Sequence, residues 1–282
     1  MDIKTFGVIG SGQMGNGIAQ VAAMSGLDVI MSDISLDFAE KGLATISKNL
    51  DRNVSKGKMT EDEKNTILTR VSVTSDLNDM SGVDFLVEAA VEREDLKFQI
   101  FRDLDEICPD HVILSTNTSS IPIGRIGAQT KRPGKVIGMH FMNPVPVMKL
   151  CEVIRGLATS DETFKVTMDL CEKFNKTSAV SNDYPGFIAN RILMPMINEA
   201  IFCVFQNVGS PEDIDTVMKL GMNHPMGPLA LADLIGLDTC LAIMETLHDG
   251  FKDSKYRACP LLRQYVEAGW LGRKSGRGFY KY

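Results

Sequence analysis

The chain has 282 residues, a formal net charge of −6, and a composition of 44% hydrophobic and 23% charged residues. This length suits two domains, and the ordinary composition argues against a disordered or fibrous protein. The acidic balance offers no basic face for nucleic acid, and no apolar run approaches the ~20 residues of a membrane-spanning helix. We therefore expect neither a nucleic-acid partner nor a membrane partner.

The six cysteines are scattered without a CxxC pair, and no signal peptide is evident. These features indicate reduced thiols and a cytoplasmic protein. Histidines, cysteines and carboxylates form no cluster at metal-ligand spacing, so we expect no metal.

The first half of the chain alternates short apolar runs with helical patterns, which is typical of a parallel α/β sheet. The predicted strands are Thr5–Ile9, Asp28–Ser32, Val71–Thr74, Asp84–Glu88, Val112–Ser115 and Val136–Met139. A capping box formed by Thr60 and Glu63 opens the first of three predicted helices. These helices are Glu61–Thr69, Glu94–Ile107 and Glu162–Phe174.

The pattern changes at the turn signal Tyr184-Pro185-Gly186, after which no strand alternation is evident. The helical patterns beyond it are Ile188–Val208, Pro211–Leu220, Leu229–His248 and Leu261–Glu267. We therefore predict an α/β domain over residues 1–183 and an all-helical domain over residues 184–282.

A GxGxxG motif, GSGQMG over residues 10–15, follows the first predicted strand and opens a helix. Such glycines permit a tight turn, close approach of backbone amides to a pyrophosphate, and close helix–strand packing. Asp33 ends the second strand, where a carboxylate accepts hydrogen bonds from the adenosine ribose and repels a 2′-phosphate. Glycines are common in tight turns without a cofactor, but here the strand, the helix and the acidic strand end agree.

The motif therefore predicts a doubly wound Rossmann domain that binds NAD in preference to NADP. The predicted cofactor residues in this region are Gly10, Gly12, Gln13, Met14, Gly15 and Asp33.

His140 and Glu152 are the candidates for acid–base chemistry. They lie symmetrically about Pro146, so a loop that doubles back there would bring them face to face. A glutamate on one imidazole nitrogen fixes the tautomer and leaves the other nitrogen to exchange a proton, as oxidation of a hydroxyl requires. The alternative is that His140 is a core histidine and Glu152 a surface charge.

Several separated motifs resemble the L-3-hydroxyacyl-CoA dehydrogenase family along essentially the whole chain. Besides GSGQMG with Asp33, they are VEAAVE (87–92), STNTSS (115–120), GMHFMNPVPVMKLCEVI (138–154), PGFIANRI (185–192) and GWLGRKSGRGFY (269–280). The resemblance, which is greatest to short bacterial members, implies interconversion of (S)-3-hydroxybutyryl-CoA and acetoacetyl-CoA with NAD(H).

The resemblance also implies a role for each matching residue. The implied catalytic residues are His140, Glu152, Ser119 and Asn190, and the last two also bind the substrate together with Asn143. The implied residues in the nicotinamide–ribose region of the cofactor site are Glu92 and Lys97, and Asn117 is a further implied cofactor-binding residue.

Structural alternatives exist for several of these residues. Ser119 could cap a helix that starts near Ile121, and Asn190 could satisfy backbone groups at the domain junction. Glu92 and Lys97 could form a solvated helix face.

A basic run, Lys48, Arg52, Lys56 and Lys58, follows the second predicted strand. The resemblance implies that basic residues here bind the CoA phosphates, and we take Lys48, Arg52 and Lys56 as substrate-binding candidates. Otherwise such a run is a solvated face.

The resemblance implies a homodimer through the helical domain. An apolar surplus on the first helix of that domain supports this expectation; its members are Ile192, Met196, Ile197, Ala200 and Ile201. Two other functions stay open, namely a free hydroxy-acid or sugar-acid dehydrogenase of the lambda-crystallin type and a non-catalytic NAD-binding redox sensor.

Overall fold

The computed structural model describes residues 2–282 and divides into two compact units, the first ending at Tyr184 and the second spanning Pro185–Tyr282. The boundary lies one residue beyond the expected one. In the described part of the chain, every helix is too short or too polar to cross a membrane.

The first unit is built on one eight-stranded sheet. Its strands are β1 Thr5–Ile9, β2 Asp28–Ser32, β3 Val71–Thr74, β4 Phe85–Glu88, β5 Ile113–Thr116, β6 Val136–Phe141, β7 Leu150–Arg155 and β8 Thr177–Asn182. The order across the sheet is β3-β2-β1-β4-β5-β6-β7-β8, and only β6 and β7 pair in antiparallel fashion. The strand order reverses between β1 and β4, and in such sheets ligands bind at the carboxyl ends beside the reversal.

The helices of this unit are α1 Gln13–Met24, α2 Leu36–Ser55, α3 Glu61–Thr69, α4 Glu94–Ile107, α5 Ile123–Gly127 and α6 Asp161–Lys173, with short 3₁₀ turns at Leu77–Gly82 and Pro133–Lys135. The predicted capping box at α3 is confirmed. The Thr60 hydroxyl accepts from the Glu63 amide at 3.2 Å, and the Glu63 carboxylate accepts from the Thr60 amide at 2.7 Å.

The central strands β4, β5 and β6 are buried along their whole length, as expected for parallel strands covered on both faces. In the core, the Phe6 ring stacks on Phe85 with centroids 5.8 Å apart and meets Phe174 edge-on at 5.4 Å. Phe6 and Phe85 are register partners in β1 and β4, so the stacked rings join these two strands in the core.

The predicted bounds of β1, β2 and β3 are confirmed, whereas β6 runs two residues further than predicted and contains His140. The sequence prediction omits β7 and β8 as strands. β8, with the sequence TSAVSN, lies at the sheet edge and is half exposed, so it lacks the apolar run by which a strand is detected.

The second unit is helical. Its helices are α7 Ala189–Phe205, α8 Pro211–Thr216, α9 Pro228–Ile235, α10 Leu237–Phe251 and α11 Pro260–Glu267, with a π-helical turn at Val217–Gly221 and 3₁₀ turns at Ser254–Tyr256 and Arg273–Ser275. The prediction of one helix over Leu229–His248 is wrong, because Gly236 has a φ of +104° and separates α9 from α10.

This unit has a hydrophobic core of its own. Ile197, Ala200 and Ile201 are buried in it, so these three residues are not part of an apolar surplus. Ile192 on the same helix is 67% exposed.

Candidate active site

The turn between β1 and α1 carries the GxGxxG motif. Gly10 has a φ of +93°, and a Cβ there would lie 2.7 Å from the carbonyl oxygen of Ala89, so a side chain is excluded. A Cβ on Gly15 would lie 1.7 Å from the carbonyl oxygen of Gly10, so this glycine lets α1 start directly against the turn. A Cβ on Gly12, in contrast, would meet no atom within 4 Å.

A cavity of about 540 Å³ lies beside this turn. Gly12, Gln13, Asp33 and the loop of residues 143–146 contribute to its lining, so Asn143 lies in its wall. Met14 packs against the hydrophobic core instead. The open space at Gly12, together with the backbone N–H groups at the start of α1, fits the pyrophosphate of a dinucleotide.

Asp33 follows β2 and joins two parts of the cavity wall. Its Oδ2 accepts hydrogen bonds from the backbone amide and hydroxyl of Ser11, at 2.7 and 2.6 Å, and its Oδ1 accepts from the Ile34 amide at 2.8 Å. The carboxylate therefore holds the glycine turn and also places a negative charge in the cavity.

His140 and Glu152 are direct partners across β6 and β7, as their symmetry about Pro146 predicts. His140 Nδ1 lies 3.0 Å from Glu152 Oε2, and His140 Nε2 lies 3.2 Å from Ser119 Oγ. Glu152 is 1% exposed, so its interpretation as a surface charge is wrong. An ionised Glu152 favours the proton on Nδ1, which leaves Nε2 able to accept another.

Ser119 lies in the loop that follows β5. It does not cap a helix, because α5 begins at Ile123 after Pro122, and no side chain caps it. The Ser119 amide donates to Glu92 Oε1 at 2.8 Å. In the same loop, Asn117 Oδ1 accepts from the Phe141 amide at 2.9 Å, which ties the loop to the end of β6 beside His140.

Lys97 on α4 is 1% exposed, so its interpretation as part of a solvated face is wrong. Its Nζ lies 2.6 Å from Glu88 Oε1 and 3.4 Å from Glu92 Oε2. Burial opposes ionisation of Glu92, but Lys97 and hydrogen bonds from residues 118–120 outweigh it and lower the pKa of Glu92. Glu92 is therefore ionised at neutral pH and bound to the Ser119 loop.

The candidate CoA residues lie on and just after α2. Lys48, Arg52 and Lys56 are exposed and four residues apart, which aligns them along one face. No carboxylate in the described residues forms a salt bridge with them, so this face is positively charged and open to solvent.

Comparison with known families accounts for both units. Residues 5–184 match the family profile described as "3-hydroxyacyl-CoA dehydrogenase, NAD binding domain", and residues 186–282 match "3-hydroxyacyl-CoA dehydrogenase, C-terminal domain". The chain belongs to the 3-hydroxyacyl-CoA dehydrogenase family.

Individual members of the family are similar along the full chain. The chain is 60% identical to a "Probable 3-hydroxybutyryl-CoA dehydrogenase" of Bacillus subtilis, covering 100% of this chain and 98% of that protein. It is 55% identical to the 3-hydroxybutyryl-CoA dehydrogenase of Bradyrhizobium diazoefficiens, covering 99% and 96%. The crystal structure of (S)-3-hydroxybutyryl-CoA dehydrogenase from Ralstonia eutropha matches with a TM-score of 0.98 at 50% identity, covering 100% and 99%. The predicted family and fold class are thereby confirmed.

As a 3-hydroxyacyl-CoA dehydrogenase, the protein has an NAD-binding Rossmann unit, and the glycine turn with Asp33 fits that cofactor. Within this unit the structure brings Ser119, His140 and Glu152 into one line of hydrogen-bonding groups, with Glu92 bound to the Ser119 loop. Asn190 lies on α7 of the second unit and is buried.

Sequence reasoning missed Glu88 and Asn16. Glu88 is fully buried at the end of β4, and Asn16 Nδ2 donates to the Gly12 carbonyl at 2.6 Å inside the glycine turn. A signal for Glu88 was present, because it is a carboxylate that ends an apolar strand at the carboxyl edge of a parallel sheet.

Proposed function

We propose that this protein interconverts (S)-3-hydroxybutyryl-CoA and acetoacetyl-CoA with NAD(H). The observation that carries the proposal is the arrangement of Ser119, His140 and Glu152, at 3.2 and 3.0 Å, in the unit that contains the NAD-binding turn. The four-carbon substrate rests on the relatives named above, which are 50–60% identical over the full chain.

His140 exchanges the proton in this mechanism. In oxidation, Nε2 takes the proton of the 3-hydroxyl as the C3 hydride leaves, and in reduction protonated Nε2 returns it to the oxygen. When bound, NAD accepts or supplies the hydride. Glu152 stabilises the imidazolium through Nδ1, while Ser119 donates a hydrogen bond to the substrate oxygen.

The substrate's CoA moiety has several phosphates. In the proposal, Lys48, Arg52 and Lys56 bind these phosphates along their shared face, because clustered cations attract multivalent anions. Salt should therefore raise the KM for the CoA ester more than the KM for NADH.

We further propose a homodimer formed by the second unit, in the cytoplasm. Exposed apolar side chains in that unit support the dimer; they are Ile192, Val217, Leu220 and Met222. Six free thiols suit a reducing compartment.

The test measures the loss of NADH absorbance with acetoacetyl-CoA. Parallel reactions replace NADH with NADPH, or acetoacetyl-CoA with free acetoacetate. We expect rapid oxidation of NADH only with the CoA ester. His140→Asn should lower kcat by about 10²–10⁴-fold while the Kd for NADH stays unchanged. His111→Asn is the matched control, because His111 is exposed and outside the site, and it should keep wild-type turnover.

Two outcomes contradict the proposal. A wild-type protein that binds NADH but consumes no CoA ester is not this dehydrogenase. Equal turnover of free acetoacetate indicates an enzyme that acts on free acids.

A further inference from the structure

Glu88 is a buried carboxylate with no assigned role at the carboxyl end of β4. It is 0% exposed, and its strand neighbours are Ile9 of β1 and Thr116 of β5. Burying a carboxylate is costly unless it is paired and hydrogen-bonded. Oε1 accepts from Lys97 Nζ at 2.6 Å and from the Ala90 amide at 2.7 Å, and Oε2 accepts from Thr116 Oγ1 at 2.7 Å.

Lys97 connects Glu88 to a second carboxylate. Its Nζ also contacts the Ala90 carbonyl at 3.3 Å and Glu92 Oε2 at 3.4 Å. The shorter contact, to the buried Glu88, fixes the place of the ammonium group. The ammonium group in turn attracts Glu92, whose side chain is 39% exposed and has less packing of its own.

Glu92 holds the loop that carries Ser119. Its Oε1 accepts from Thr118 Oγ1 at 2.5 Å and from the amides of Ser119 and Ser120 at 2.8 and 3.1 Å. Glu88 reaches the same loop by a second route, because Thr116 Oγ1, its donor, accepts from the Thr118 amide at 3.2 Å. Both routes end within one residue of Ser119, whose hydroxyl lies 3.2 Å from His140 Nε2.

We propose that Glu88 is a positioning residue. It acts through Lys97, Glu92 and Thr116 to hold the Ser119 hydroxyl within hydrogen-bonding distance of His140 Nε2. The inference rests on the proposed function, since it assigns Ser119 to the reaction. Misplacing a reacting group by about 1 Å can cost about 10²-fold in rate. A network that fixes the Ser119 loop is therefore expected to affect kcat.

The kinetic test is a double-mutant cycle with Glu88→Gln and Ser119→Ala. Glutamine keeps the size of Glu88 but removes the charge that fixes Lys97. We expect Glu88→Gln to lower kcat by about tenfold in the wild-type background and to have almost no effect in Ser119→Ala, because a hydroxyl that is absent cannot be misplaced.

Asp105→Asn is the matched control. Asp105 is also buried in the first unit and accepts from Arg132 Nε at 2.7 Å, but none of its hydrogen bonds involves residues 116–120. It should lower Tm, and any effect on kcat should be equal in both backgrounds.

Hydrogen exchange tests the same claim without turnover. Glu88→Gln should speed exchange of the amides of residues 118–120, and Asp105→Asn should leave them unchanged, because the three amides donate to side chains of this network. If Glu88→Gln does not fold, Thr116→Val takes its place in this experiment. This variant keeps the buried Glu88 and Lys97 and should also speed amide exchange in residues 118–120, but to a smaller extent.

Additive kinetic effects in the cycle, or unchanged exchange in residues 118–120, would overturn the proposal. If the wild-type protein does not turn over acetoacetyl-CoA, the proposed function fails, and the exchange measurement still decides whether Glu88 positions the loop.

Discussion

Asp33 combines two roles at the residue scale, because it binds Ser11 of the glycine turn and places a charge in the cofactor cavity. We expect Asp33→Ala to raise the Kd for NADH and to reduce the preference for NADH over NADPH by about tenfold or more, which corresponds to about 1.4 kcal/mol. Asp33→Asn keeps an acceptor for Ser11 but no charge. Asp33→Asn should bind NADH more tightly than Asp33→Ala does, and it should show the same loss of preference for NADH over NADPH.

Fluorescence titration of NADH and NADPH against the wild type and the two variants gives the six dissociation constants that the comparison needs. If both variants keep the wild-type ratio of Kd values, Asp33 does not discriminate against the 2′-phosphate.

Glu92 makes stability depend on pH in a defined direction. Its pKa lies below the ordinary value of 4.5, so its ionised form stabilises the fold above about pH 4.5, and this contribution is lost as the pH falls through the lowered pKa. Glu92→Gln should therefore lower Tm at about pH 7, and the Tm difference should shrink towards about pH 3. Thermal melts over this range measure the difference. A difference that stays constant would mean that the ionised form gives no stability.

Residue-level predictability depended on whether a residue's partner was visible in the sequence. His140 and Glu152 flank a loop symmetrically, so their pairing follows from local geometry. The partners of Glu88 lie on β5 and α4, and the carboxylate sits in a run that otherwise looks like an ordinary buried strand. Only the strand order of the sheet brings these elements together.

Elements with strong apolar patterns were predictable, and elements set by tertiary context were not. β1, β2, β3, α3 and α4 have the predicted bounds, because apolar periodicity and end signals agree there. β8 forms a strand because it pairs with β7 at the sheet edge. Its sequence has no apolar run from which this strand could be predicted. Gly236 interrupts a continuous helical pattern through its left-handed backbone, which periodicity alone does not reveal.

The loop between β6 and β7 lines the cofactor cavity, and Lys176 before β8 stabilises it. Lys176 Nζ donates to the carbonyls of Val145 and Met148 at 2.5 and 2.7 Å. Hydrogen bonds from charged donors contribute about 1.5–3 kcal/mol each. Lys176→Met should therefore loosen the loop and raise the Kd for NADH by up to about tenfold.

Lys149→Met is the control for Lys176→Met, because Lys149 is an exposed lysine at the end of the same loop. Titration of NADH should give a wild-type Kd for this control. Equal increases in both variants would assign the effect to net charge and not to the loop contacts.

The whole molecule consists of two units with separate cores, and the C-terminal motif GWLGRKSGRGFY belongs to the architecture of the second. Asp233 on α9, 1% exposed, accepts from the amides of Phe279 and Tyr280 at 3.0 and 2.9 Å and from the Tyr282 hydroxyl at 3.2 Å. Asp215 accepts from the Tyr280 hydroxyl at 2.9 Å. Burial and this bond to Asp215 raise the pKa of Tyr280, which keeps the phenol protonated as the donor.

Asp233→Asn should destabilise the second unit without touching the cofactor site. An asparagine amide offers one acceptor atom, and its NH₂ group faces an amide donor, so one buried donor loses its partner at a cost of about 1–3 kcal/mol. For a unit of this size we expect Tm to fall by about 5 °C or more, measured by calorimetry.

Asp238→Asn is the control, because Asp238 forms an exposed pair with Lys274 at 2.6 Å, and such pairs contribute about 0–1 kcal/mol. The Kd for NADH should stay at the wild-type value in both variants, because the glycine turn and its cavity belong to the first unit. A loss of NADH binding at temperatures where Asp233→Asn is still folded would show that the C-terminal motif also supports the cofactor site.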